Sequence, residues 1–141
     1  MKILMFSDMQ ARGNDFNWRN QQPFTSRMTE IWSTFKMAAW LVRTQKPDVV
    51  VCLGDVFDVH SLLEVPCIDL VMGGFELIQE QGEHQLFIVS GNHDLAAADG
   101  SVSSALVLRD LPNTWVVAGA PAIVNDMGFI PYVRDLTVQR E

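Results

Sequence analysis

Cysteine, positive charge and long apolar runs are all scarce in this chain. Only Cys52 and Cys67 are present, and no second cysteine pair or histidine pair stands at zinc-site spacing. Cys52 lies inside an apolar strand, where a small buried hydrophobe is its expected role. The pattern suits a reducing compartment. Ten Lys and Arg stand against 17 Asp and Glu, a net charge of -7. That balance excludes a protein that coats nucleic acid through a broad basic surface. It leaves room for an enzyme acting on nucleic acid, because acidic metal ligands count as negative only until metals bind. No stretch approaches the roughly 18 apolar residues of a membrane span. The opening Met1-Lys-Ile-Leu-Met-Phe6 reads as a strand, too short for a signal peptide and without a cleavage site. The expected location is the cytoplasm, with no membrane partner. Repeats, low-complexity tracts and linkers are absent as well.

What the chain does have is a core. Its 141 residues are 48% apolar and 19% charged, which fits one ordered domain. Lys2 to Phe6 is a compact apolar run, read as a first buried strand. A loop follows to about Pro23. Thr25 or Ser26 is placed to cap a helix, with Glu30 supporting its first turn. Apolar residues then recur at helical spacing from Met28 to Val42, and Pro47 stops the helix. Val49 to Leu53 is an unbroken apolar strand, expected to be buried on both faces. A second helix is predicted over Val65 to Gln81. Its Gly73-Gly74 pair either weakens the helix or marks close packing against the sheet. Gln85 to Ser90 is a third strand and Ser104 to Asp110 a short helix. Trp115 to Val117 and Ala122 to Val124 read as further strands. His60 and His84 are expected at the surface or supporting loops.

Strands that alternate with helices predict βαβ units and a parallel sheet. Asp8, Asp55 and Asn92 each follow a separate strand, so a parallel sheet brings them to one edge. In open α/β folds, sites form at that edge. Alone, Asp8 or Asp55 reads more readily as a turn carboxylate capping nearby amides than as a site residue. Three polar strand ends in succession favour a site. The loops supply Asp8, Gln10, Asp55, Asp58, Asn92, His93 and Asp94, more acid than one sheet edge holds without a cation. Oxygen donors of this kind suit hard divalent ions, and amide or imidazole ligands move the choice toward manganese, iron or zinc. Asp55, from the middle position, is the candidate bridge between two ions. His93 is the candidate acid for a leaving group. Asp58 is expected to support its loop or to orient a histidine. Arg12, Trp18 and Arg19 pair cations with an aromatic, which suits single-stranded nucleic acid; the plainer alternative is a partly packed surface loop.

With Asp8-x-Gln10, Gly54-Asp55-x-x-Asp58 and Gly91-Asn92-His93-Asp94 in place, the chain resembles the calcineurin-like metallophosphoesterase superfamily. Softer cues bring it nearest to SbcD-type DNA-repair exonucleases: Met1-Lys-Ile-Leu4, Lys46-Pro-Asp-Val-Val50, Gly54-Asp-Val-Phe-Asp58, Val89-Ser-Gly-Asn-His-Asp94 and Phe129-Ile-Pro-Tyr132. The resemblance implies an αββα-type sandwich, of which this chain carries the N-terminal part, with mainly parallel strands and crossover helices. It implies a two-metal site in which Asp8 binds one ion, Asp55 bridges both, Asn92 binds the second and His93 is the acid or phosphate-orienting group. It also implies manganese-dependent cleavage of DNA phosphodiesters beside an SMC-like ATPase; magnesium, iron or zinc and a homodimer are the alternatives. Two departures stand out. The usual first motif is Asp-x-His, and here Gln10 replaces the histidine, as in some nucleotide diphosphatases of the superfamily. Three further histidines belong downstream of the third motif, and no histidine follows His93. The expectation is a fragment of a longer domain, a site completed by a second chain, or a copy without turnover.

Overall fold

The structure is a computed structural model that describes residues 1–12, 26–58 and 62–134. Its elements are β1 (Ile3–Phe6), α1 (Ser26–Gln45), β2 (Val49–Cys52), α2 (Val65–Gln79), β3 (Gln85–Val89), a 3-10 turn at Ser104–Leu108, β4 (Thr114–Val117), β5 (Ala122–Val124) and β6 (Met127–Phe129). The first four strands form one parallel sheet in the order β1-β2-β3-β4, and β5 and β6 pair as an antiparallel hairpin. This is an α/β fold with crossover helices. Sequence order and spatial order coincide, so β1, β2 and β3 end side by side.

Both faces of the sheet are covered, and period-two alternation sorts the side chains between them. Leu4, Phe6, Val50, Cys52, Leu86 and Ile88 face the larger core, which α1 and α2 close with Phe35, Val42, Val71, Phe75 and Ile78. Ile3, Val49, Val51, Phe87, Val89 and Val117 face a smaller core closed by the β5–β6 hairpin. There Phe87 stacks between Trp115, 5.2 Å away, and Phe129, 4.5 Å away. The first strand departs from the buried strand expected. It is an edge strand with one neighbour, and Met5 is 58% exposed.

The helix ends follow local chemistry. Lys46 turns out of α1 in the left-handed region (φ 49°), its N–H donating to the Val42 carbonyl. Pro47 then bars any continuation. Pro66 sits in the first turn of α2, where its missing donor costs nothing. The expected cap at Thr25 lies outside the described residues. The glycine pair packs against a different partner from the one expected. A Cβ on Gly74 would stand 2.3 Å from the Phe35 ring of α1, whereas one on Gly73 would meet only Trp32, at 4.0 Å. The close approach is helix to helix, not helix to sheet.

His84 is a second correction. It is buried, 6% exposed, rather than at the surface. Neither ring nitrogen has a hydrogen-bond partner among the described residues. A cavity of about 310 Å³ beside it is lined by Lys46, Asp48 and Glu83. Burial is the main cause that lowers its pKa below the ordinary 6.5.

Two predictions follow from these packing relations. Gly74→Ala adds a methyl against a core ring, costing about 1–3 kcal/mol. The helix-propensity gain of about 1 kcal/mol offsets part of that. Urea unfolding is expected to show a net loss for Gly74→Ala and a gain of up to about 1 kcal/mol for Gly73→Ala. Equal effects at the two positions would contradict the packing described. For His84, the unfolded ring takes a proton near 6.5 while the folded ring resists until lower pH. The unfolded state therefore binds more protons, and stability falls as pH drops through and below about 6.5. The urea midpoint of the wild type should fall more than that of His84→Leu between about pH 7.5 and about pH 5.5.

Candidate metal centre

Beyond the sheet, the loops after β1 and β2 keep running side by side. Asp8 N–H donates to the Gly54 carbonyl (3.2 Å), Gln10 N–H to Asp55 (2.8 Å) and Ala11 N–H to Val56 (2.9 Å), and Asp58 N–H returns to Ala11 (2.9 Å). Met9 and Ala11 turn into the core, leaving Asp8 and Gln10 on the outer side. The backbone is contorted to achieve this. Asp8 (φ 61°), Gln10 (φ 48°) and Asp55 (φ 53°) all occupy the left-handed region, at a cost on the order of 1 kcal/mol each. Such conformations gather where side chains must be aimed. The loop after β3 crosses the one after β2 at two glycines. A Cβ on Gly54 would come within 2.5 Å of the Gly91 nitrogen, and one on Gly91 within 2.3 Å of Asp55 Oδ1. Only glycine lets the two motifs touch.

One carboxylate joins them. Asp94 has no exposed surface. Its Oδ2 accepts from the N–H groups of Asp55 and Gly91, both at 2.9 Å, and its Oδ1 from Phe57 N–H at 3.1 Å. Ser104 holds it from behind, its N–H donating to the Asp94 carbonyl at 2.7 Å and its hydroxyl at 3.2 Å. Burial raises the Asp94 pKa, and the three amide donors act against that rise. Asp94 thus faces inward and builds the site without lining it.

The side chains brought to the edge fall into two groups. Asp8, Gln10, Asp55 and Asn92 are oxygen donors on adjoining strand ends. Asp55 Oδ1 accepts from the His93 N–H at 2.9 Å, which ties the second motif to the third. The other group is a hydrogen-bonded chain. Asp58 Oδ1 lies 2.6 Å from His93 Nδ1, and Asp58 Oδ2 accepts from Arg12 Nη1 at 2.9 Å. A carboxylate at Nδ1 sets the ring's orientation and tautomer, and the guanidinium sets the carboxylate. Arg12 is therefore engaged with Asp58, where the sequence suggested a contact with substrate. Trp18, Arg19 and His60 lie outside the described residues.

The donors fit a hard divalent cation by their chemistry: two carboxylates and two side-chain amides, all offering oxygen. The Cys52 thiol beneath them has its pKa pushed up to about 12, chiefly by burial, with a hydrogen bond at Gly54 acting against the rise and the charges of Asp94, Asp55 and Asp8 adding to it. Among the described residues no three His, Cys, Asp or Glu side chains are grouped to hold a metal; the candidate set depends on Gln10 and Asn92.

Asp94 was visible in sequence only as one more polar residue of the third motif. Its burial, and its service to backbone amides, left no signal there. Ser104 and Tyr132 were missed as parts of this region for the same reason: tertiary hydrogen bonds alone connect them to it. Tyr132 N–H donates to the Ser90 carbonyl at 2.9 Å.

The chain belongs to the calcineurin-like phosphoesterase family, which it matches over residues 1–137. The family consists of metal-dependent hydrolases acting on phosphoesters. No curated protein matches the chain. None of the helices among the described residues is long and apolar enough to cross a membrane.

Truncating the Asp94 side chain would leave three amides of two loops without an acceptor. Each buried unsatisfied group costs about 1–3 kcal/mol. Asp94→Ala is expected to lower the urea-unfolding free energy by about 3 kcal/mol or more and to abolish cation binding measured by calorimetry. A variant of unchanged stability would refute the bridging role.

Proposed function

We propose that this chain carries the catalytic edge of a two-metal DNA nuclease, related to SbcD-type exonucleases, that hydrolyses phosphodiester bonds with manganese. The observation that supports it best is the joining of the loops after β2 and β3 through Asp94, with the loop after β1 held beside them by backbone hydrogen bonds. Asp8, Gln10, Asp55 and Asn92 stand at one edge as a result, with His93 braced by Asp58 beside them. Asp8, Gln10 and Asp55 would hold one ion, and Asp55 with Asn92 a second. A pair of such ions supplies electrostatic activation of a phosphoryl group and of the attacking water. The chain's own contribution is proton handling and position. His93 donates a proton to the leaving oxygen, Asp58 aims the ring, and Arg12 fixes Asp58.

DNA is favoured as substrate by the resemblance of Phe129-Ile-Pro-Tyr132 to a segment of SbcD-type proteins; in the structure this segment lies beside the third motif, with Tyr132 N–H on the Ser90 carbonyl. An SMC-like ATPase is the natural partner on this reading, and a second copy of the chain the alternative. Gln10 supports a second reading, a nucleotide diphosphatase, because an amide replaces the imidazole of the usual first motif.

The test is degradation of linear DNA with manganese. Asp55→Ala should abolish it, and Asp58→Asn should lower it by about 10–100-fold, as loss of an orienting carboxylate does. Hydrolysis of a nucleotide diphosphate with DNA left intact would replace the nuclease reading with the diphosphatase one. A chain that binds no manganese in calorimetry would make it a module without turnover.

A further inference from the structure

A groove of about 480 Å³ opens beside the donor set, within the range of small-molecule sites of about 300–1,000 Å³. Asp55, Gly91, Asn92, Leu53, Ile130 and Tyr132 are among the residues that line it. The far wall is well anchored. Phe129 is buried against Phe87, Tyr132 N–H bonds Ser90, Val133 is buried, and Arg134 N–H bonds the Ala98 carbonyl. From Phe129 to Arg134 buried and exposed residues alternate strictly. Ile130, Tyr132 and Arg134 are therefore the ones turned outward. Leu53 (52%), Ile130 (71%) and Tyr132 (47%) leave large apolar surface exposed beside a group of oxygen donors. A matching ligand has a charged phosphoester end and a flat apolar body.

We propose that this groove is a nucleobase subsite, in which the Tyr132 ring stacks on the base attached to the phosphoester held at Asp55 and Asn92. The proposal rests on the nuclease reading and deepens it by assigning a residue that grips the strand. Stacking on an aromatic face tolerates every base, which suits an enzyme that degrades DNA without regard to sequence. A base on Tyr132 and its phosphate at Asn92 would set the register in which a strand enters.

Calorimetry of the manganese-loaded chain with thymidine 5′-monophosphate and with 2-deoxyribose 5-phosphate tests it, because the second ligand keeps the sugar and phosphate and has a hydroxyl where the first has its base. The wild type should bind the nucleotide about tenfold or more tightly than the sugar phosphate. Tyr132→Ala should bring the two affinities together while leaving the sugar phosphate unchanged, and Tyr132→Phe should restore the preference. A preference that survives Tyr132→Ala, or none in the wild type, overturns the subsite while the phosphoesterase reading stands. Failure of the sugar phosphate to bind at all removes both. A wild-type dimer that Tyr132→Ala dissociates in sedimentation would show the groove to be a protein contact and overturn the proposal.

Discussion

Asp94 accepts three backbone amides with one carboxylate, and the geometry of the whole edge depends on it. Strand ends in a parallel sheet are close, but closeness alone does not aim side chains. The loops after β2 and β3 have no ladder partner at their crossing, so their amides need an acceptor. A buried carboxylate with two oxygens supplies several acceptor sites at once, and charge assistance makes these bonds stronger than neutral ones. The contorted Asp55 backbone is stable because its amide and its side chain are both committed, the first to Asp94 and the second to the His93 N–H. Gly54 and Gly91 complete the arrangement by removing the side chains that would hold the loops apart.

The same edge concentrates negative charge. Asp8 and Asp55 lie on adjoining strand ends above the Cys52 thiol, whose pKa is raised chiefly by burial. Asp58 stands apart from this. Its charge is matched locally by Arg12, so it serves His93 without adding to the cluster.

Away from the site the fold is carried by apolar alternation. Each central strand sends one set of side chains to α1 and α2 and the other to the β5–β6 hairpin. At the opposite end of the sheet His84 is buried with no hydrogen-bond partner for its ring among the described residues.

Much of this was legible in the sequence. The unbroken Val49–Leu53 run, the spacing of Met28 to Val42 and the strand–helix alternation follow from local periodicity, which is a property of neighbours along the chain. The same holds for the three polar strand ends, because each motif is contiguous. Other features were not legible. Which glycine meets which helix, that Asp94 turns inward while Asn92 turns outward, that Arg12 is engaged by Asp58, and that Tyr132 lies against Ser90 all depend on contacts between residues far apart in the chain. One-dimensional patterns hold no record of such contacts. Local patterns thus give the elements and the order of the motifs. Which of the seven polar residues build the edge and which face outward is a matter of three dimensions, because burial and hydrogen-bond partners are set by packing between loops rather than by the residues next to them.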